Sequence, residues 1–329
     1  MKTLAKLVLA LVLLGLTAWA VGALLIAGPQ DSALTTALAV GMGLLSLLAI
    51  SRLWFRRARL VSAGLLLAMA GAWLFWWQSL QPSNERQWQS DVAVLPSATV
   101  AGKRITLHNV RNFKYRSEYD YSPAYYDKEV NLDQLVGVDL GAVYWMGPSI
   151  AHVFLSFAFA DGQHVAVSIE TRKEVGEGYS TIKGFFRQYE LYYVVSDERD
   201  VIGLRTNHRD NPPEQVYLYR LQGPIENAQR LFMAYIERIN QLHQQPEFYN
   251  SLTTNCTTSI WMSSQVNQQH LPFSWKVLAS GYVPQYLYEN ARLQGSERPF
   301  SDLQREALIN PKAQAAGDSP EFSRLIRQP

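Results

Sequence analysis

The chain has 329 residues, a formal net charge of +2 and one cysteine, Cys256. Its near-neutral balance, with basic residues scattered apart from Arg52, Arg56, Arg57 and Arg59, excludes a nucleic-acid partner. A lone cysteine excludes an internal disulfide, and the length allows a membrane anchor plus a domain of about 200 residues.

The first eighty residues differ from the rest. Leu7 to Ala27, Ala33 to Ile50 and Leu60 to Trp77 are uncharged apolar runs. Each has the length that crosses a hydrocarbon core. Lys2 and Lys6 precede the first run, and Gly28-Pro29-Gln30-Asp31-Ser32 links it to the second without a Lys or Arg. The four arginines sit between the second and third runs. By the positive-inside rule the N-terminus and the arginine loop are cytoplasmic, and everything after Trp77 is outside. Trp73, Trp76 and Trp77 then mark the outer interface. Ala18-Trp19-Ala20 has the form of a signal-cleavage site, a rival reading that leaves the later topology unchanged. With no charge in the runs, a transport path is not expected.

The division predicted is an anchor of three transmembrane helices over 1–80, a linker over 81–99, a catalytic domain over 100–295 and a polar, loosely held tail over 296–329. Gln78 to Ala98 carries Pro82 and Pro96 and reads as loop. The domain mixes helix and strand. Ile105 to Tyr115 reads as a strand, Glu118 to Tyr126 as an aromatic loop, and Leu132 to Trp145 as a helix and a strand. His152 to Phe159 and Gln163 to Glu170 alternate as strands. Leu191 to Val195 and Gln215 to Arg220 are further strands. Pro224 opens a helix with Ile225, Ala228, Phe232, Tyr235 and Ile239 on one face, and Pro246 stops it.

The His152–Glu170 stretch carries chemistry. Val153, Leu155, Phe157 and Phe159 share one face, as do Val165, Val167 and Ile169. Matching these faces pairs Leu155 with Val167 and leaves a three-residue loop, Ala160-Asp161-Gly162, with Gly in the left-handed position. That register sets His152 opposite Glu170 on a more polar face with Ser156, Ala166 and Ser168. Opposed Cβ atoms lie about 4.5–5.5 Å apart, so the carboxylate can orient the imidazole. His164 lies at the far end of the same face and is the alternative third member. Cys256 precedes Ile260-Trp261-Met262, which suggests a helix start, where backbone N–H groups favour a thiolate. Neither His-Glu-x-x-His nor paired cysteines nor a phosphate-cradling Gly loop occurs, so no cofactor or metal is expected.

Several ordered segments resemble a known family. They are Asn109-Val110-Arg111-Asn112-Phe113, Ile150-Ala151-His152, Ser168-Ile169-Glu170-Thr171-Arg172-Lys173, Gly184 to Leu191, Asp197-Glu198-Arg199-Asp200, and Tyr249-Asn250 with Asn255-Cys256-Thr257-Thr258. Together they are similar to the Lnb N-terminal periplasmic domain family, over about Ile105 to Thr258. The resemblance implies an α+β, circularly permuted papain-like (NlpC-like) domain whose antiparallel sheet packs on the cysteine helix. It implies Cys256 as nucleophile, His152 as base and Glu170 as orienting group. Members of the family act as lipoprotein N-acyltransferases with a phospholipid donor, so a cysteine acyltransferase working through a thioester on Cys256 is the leading expectation. Backbone N–H groups at the helix start, helped by the Asn255 side chain, would stabilise the oxyanion; Arg172, Arg187 and Arg205 would grip a phosphate or carboxylate on the substrate, the alternative for each being an ordinary salt bridge with Glu174, Glu177 or Asp200. The implied partners are membrane phospholipid and a lipoprotein or peptidoglycan peptide. The competing expectations are an NlpC-type cell-wall peptidase or amidase, and a non-catalytic membrane protein that binds lipid or protein.

Overall fold

The computed structural model describes residues 2–29 and 32–328. Gln30 and Asp31 of the basic-poor link, and the side chain of Lys2, lie outside the described residues. The chain divides into two compact units. One gathers the chain up to Ser83 with Ser180–Tyr189; the other holds Asn84–Tyr179 and the chain from Glu190 onward.

The first unit is built on α1 (Lys2–Ala27), α2 (Ser32–Arg52) and α3 (Arg59–Ser79). All three are long and apolar enough to cross a membrane. Twenty-one residues at a rise of about 1.5 Å span roughly 30 Å, the thickness of a hydrocarbon core. Their large side chains, Leu44, Leu67 and Phe75 among them, point outward, while small residues such as Ala23, Ala39 and Ser46 are buried. That inversion of a soluble core is what a lipid solvent selects. Trp19 lies 4.7 Å from the Trp73 ring, and Trp73 Nε1 donates to the Ala20 carbonyl at 3.3 Å. The Ala18-Trp19-Ala20 run is therefore mid-helix and packed against α3.

Residues 180–189, expected within the outer domain, group instead with these helices. Phe186 fills the space beside Gly22, where a Cβ would come within 3.3 Å of its ring. Arg187 donates to the Trp77 carbonyl at 2.6 Å and lies over the Trp77 ring. Its guanidinium is engaged in this unit's packing.

The second unit is α+β. In chain order its strands are β1 (Ser97–Ala101), β2 (Arg104–Arg111), β3 (Lys114–Tyr115), β4 (Tyr121–Ser122), β5 (Tyr125–Asn131), β6 (Leu135–Tyr144), β7 (His152–Phe159), β8 (His164–Arg172), β9 (Glu190–Ser196) and β10 (Gln215–Arg220). Among the described residues, eight of them form one sheet in the order β1-β2-β9-β8-β7-β6-β10, with β5 paired to β2. Every pairing is antiparallel except β2 with β9. The β7–β8 register places Leu155 opposite Val167 and Phe157 opposite Val165, as the apolar pattern requires. Gly162 has φ of 86° in the turn.

Helices cover both faces. After α4 (Glu198–Asn207), α5 (Ile225–Gln244) and α6 (Cys256–Ser264) come α7 (Trp275–Leu278), α8 (Val283–Glu289), α9 (Phe300–Ala307), α10 (Asn310–Ala316) and α11 (Phe322–Leu325). On one face Phe157 meets Phe232 and Tyr235 of α5, at 4.9 and 5.7 Å between ring centres. On the other, Phe154 and Ala166 pack with Val201 and Ile202 of α4, Ala313 of α10, Phe322 of α11 and Ile326. The face expected to be the more polar is thus sealed: Ser156 and Ser168 are fully buried.

Three expectations change here. The 81–99 linker is largely structural: Trp88 and Leu95 pack on Val92, Tyr192 and Val194, and Asn84 donates to the Leu242 and His243 carbonyls at the end of α5. The polar tail is part of the core, because Leu303, Ile309, Ala313, Phe322 and Ile326 form a sparse apolar stripe between its charges. Leu132 to Gln134 makes only a short 3₁₀ turn before β6, in place of a helix. Several elements were not anticipated, a buried charged helix among them. α4 has a charged sequence, yet Glu198, Asp200 and Arg205 are buried. Asp200 accepts from Arg111 Nη2 (2.6 Å) and the Phe113 amide (2.7 Å), so the motif around Asn109–Phe113 and the one around Asp197–Asp200 lock to each other.

Candidate active site

α6 begins where it does because of Asn255. Its Oδ1 accepts from the Thr258 amide at 2.9 Å, and the Thr258 hydroxyl accepts in turn from the Asn255 amide, a reciprocal cap. Thr257 Oγ1 donates to the Val277 carbonyl at 2.6 Å and fixes the first turn sideways. Cys256 is therefore held at the first helical position, half-buried. The Asn255 Nδ2 donates to the Ser251 carbonyl at 2.9 Å. Its oxygen serves the cap. The amides of Cys256 and Thr257 head the helix, as expected, and there a developing negative charge is favoured.

α6 packs across β7 and β8, and its N-terminus meets the start of β7. Cys256 lies close enough to the His152 ring and the Val153 amide for both to act on its thiol. His152 Nε2 lies 2.7 Å from Ser168 Oγ and 3.1 Å from Glu170 Oε1, so Nδ1 is the nitrogen left for the thiol. Ser168 Oγ donates to Glu170 Oε1 at 2.7 Å. Arg205 Nη2 reaches the same oxygen at 3.0 Å, and its Nη1 reaches Glu214 at 3.2 Å.

These contacts set the protonation states. Burial pushes His152 down, but the Glu170 charge and the bonds to Cys256 and Glu170 outweigh it and raise the imidazole to about 9. Burial pushes the Cys256 thiol up, yet the His152 bond and charge and the Val153 amide bring it below its ordinary value. Burial likewise opposes the charge on Glu170, and His152, Arg205 and Ser168 together hold it well below the usual carboxylate range. An imidazole raised and a thiol lowered favour a thiolate–imidazolium pair.

Of the residues singled out from sequence, Cys256, His152 and Glu170 come together. His164 does not: it sits at the far end of β8 beside Asp139 and Glu198, with Nδ1 on the Gly162 carbonyl. Arg205 reaches the site as a buried partner of Glu170 and Glu214, which corrects its expected role on the substrate. Arg172 is 2% exposed, donates to the Val92 and Ala93 carbonyls and to Asn84 Oδ1, and stacks over Trp88. It holds the 84–95 segment down and is shut away from any ligand.

Sequence reasoning missed two members. Ser168 bridges imidazole and carboxylate; its signal was its place on the His152–Glu170 face. Tyr249, buried and hydrogen-bonded to Tyr179, lies close enough to Cys256 and Glu170 for their charges, with burial, to push its hydroxyl up. It belongs to the same quoted run as Cys256.

Three apolar helices, then an α+β domain with a thiol, an imidazole and a carboxylate in one cluster, define a membrane-anchored protein with a candidate cysteine centre. Residues 121–281 match the family model described as the Lnb N-terminal periplasmic domain, and with the three candidate spans this match supports a membrane-anchored protein with a periplasmic domain. No curated protein and no solved structure matches it.

Proposed function

We propose that the protein is an inner-membrane cysteine acyltransferase, N-terminus cytoplasmic, that moves an acyl chain from a phospholipid through a thioester on Cys256 to an amine, in the manner of lipoprotein N-acylation. The observation that carries this is a thiol at the head of α6 beside an imidazole whose Nε2 lies 3.1 Å from Glu170 Oε1. The family and the three spans support a lipid substrate over a soluble one.

In the first half-reaction the thiolate attacks the ester carbonyl. The oxyanion faces the amides at the head of α6. The carbon–oxygen bond breaks, His152 gives its proton to the departing alkoxide, and a lysophospholipid leaves. In the second, the incoming amine loses its proton to His152 as it attacks the thioester. The carbon–sulfur bond breaks and the thiolate returns. Glu170 stays ionised throughout and steadies the imidazolium.

The test is to incubate the full chain in nanodiscs with phospholipid labelled in its acyl chain. Hydroxylamine-sensitive label on Cys256, absent in Cys256→Ala, is the expected result. Cleavage of muropeptides with no lipid label would replace the reading with a cell-wall peptidase. Neither activity would leave a binding protein.

A further inference from the structure

A cavity of about 630 Å³ lies against the sheet face that α5 and α6 cover. That volume is within the roughly 300–1,000 Å³ range of ligand sites. Its walls are aliphatic: Leu140 and Leu155 from the sheet, Leu231 from α5, Ile260 and Trp261 from α6, and Leu287 from α8. Polar groups, Gln269 and Arg292 among them, complete the lining, and Arg292 Nη2 donates to the Gln269 carbonyl at 2.9 Å. The wall is mostly apolar, with polar side chains such as Arg220, Gln222, Asn227, Asn267, Gln269 and Arg292 set into it, which suits a hydrocarbon chain that ends in a polar group.

The cavity is tied to the thiol on two sides. Val153, the residue after His152, lines it, and so does Thr257, the residue after Cys256. Resting on the thioester reading, we propose that this cavity holds the acyl chain of the phospholipid donor, carried on Cys256 between the two half-reactions. The cavity then sets chain-length preference. It also gives the thioester an apolar shelter that slows water while an amine is awaited.

Photocrosslinking tests the occupant without requiring transfer. The full-length Cys256→Ala chain is placed in nanodiscs containing phospholipid with a diazirine at the tip of a hexadecanoyl chain. After irradiation the labelled peptides are mapped by mass spectrometry. The three spans supply an internal control, since they meet lipid regardless. The expected result is added label on the peptides bearing Leu231, Trp261 and Leu287. Leu231→Trp or, on a separate helix, Leu287→Trp in that background cuts the added label by about tenfold and spares the spans, because the indole takes up volume the chain would fill and each lost methylene contact costs roughly tenfold. Label confined to the spans, in a chain whose Cys256 parent forms the thioester, overturns the cavity proposal and leaves the transfer reading standing. Cavity label in a chain whose Cys256 parent forms no thioester keeps the site as a lipid pocket and removes the transfer reading.

Discussion

The two ends of the β7–β8 hairpin hold the same ingredients and do different things with them. At one end His152 meets Glu170 and Arg205; at the other His164 meets Glu198, Asp139 and Arg327. In the first cluster burial is outweighed by Glu170, and the imidazole is raised. In the second, burial lowers His164, and the Arg327 charge adds to it against the pull of Glu198. Arg327 takes Glu198 with both terminal nitrogens and reaches Asp139 as well, at 2.5 to 2.7 Å. Arg220 takes Asp139 from the other side at 2.6 Å. The Glu198 charge pulls His164 up, but with Arg327 beside it that pull does not overcome burial. Glu170 still charges His152 because Arg205 divides its guanidinium between Glu170 and Glu214. The thiol at only one end completes the contrast: one cluster is poised for proton transfer, the other is a structural staple.

The sharpest way to break that contrast is to remove the sulfur. Cys256→Ala is expected to lower acyl transfer by about 10⁴-fold or more, with the fold intact by circular dichroism, since members of such a set act as a unit. His152→Gln is expected to cut thiol reactivity at neutral pH by about tenfold. The pH of half-maximal iodoacetamide alkylation should move up toward the ordinary thiol value near about 8.5. At the opposite end, Arg327→Ala leaves two buried carboxylates facing each other. It is expected to cost about 3 kcal/mol in urea unfolding while leaving the alkylation profile of the folded protein in place. If alkylation shifts too, the clusters are coupled and the comparison fails.

Glu170→Gln sharpens the first cluster. His152 keeps its proton until pH rises through about 9. A rate that needs imidazolium for the leaving group therefore falls on that alkaline side. Removing the Glu170 charge removes the main influence raising the imidazole, so the alkaline limb moves to lower pH and the rate drops by about 10²-fold. The smallest effect belongs to His164→Gln: below about 1 kcal/mol in stability and no change in thiol alkylation. A loss of transfer in that variant would return His164 to the reaction.

Much of the site was legible because it is built on a hairpin. Alternating Val153, Leu155 and Phe157 against Val165, Val167 and Ile169 fixes the register, and the register fixes His152 beside Glu170. The roles of the arginines were not legible. Arg172, Arg187 and Arg205 look alike as polar punctuation, yet one stacks on Trp88, one on Trp77, and one shares Glu170 and Glu214. Each partner is set by packing across the fold. The tail misled for a related reason: Phe322 and Ile326 are too widely spaced among charges to show a periodic stripe.

By itself the sequence determined the three spans, the hairpin register and the cysteine helix start, because each depends on local periodicity or on nearest-neighbour geometry. Tertiary structure alone decided that the terminal segments close over the sheet, that Asn255 caps α6, and that Ser168 and Arg205 join the site. Those outcomes follow from which buried polar atoms must find partners once water is gone, and such partners lie wherever the folded chain brings them.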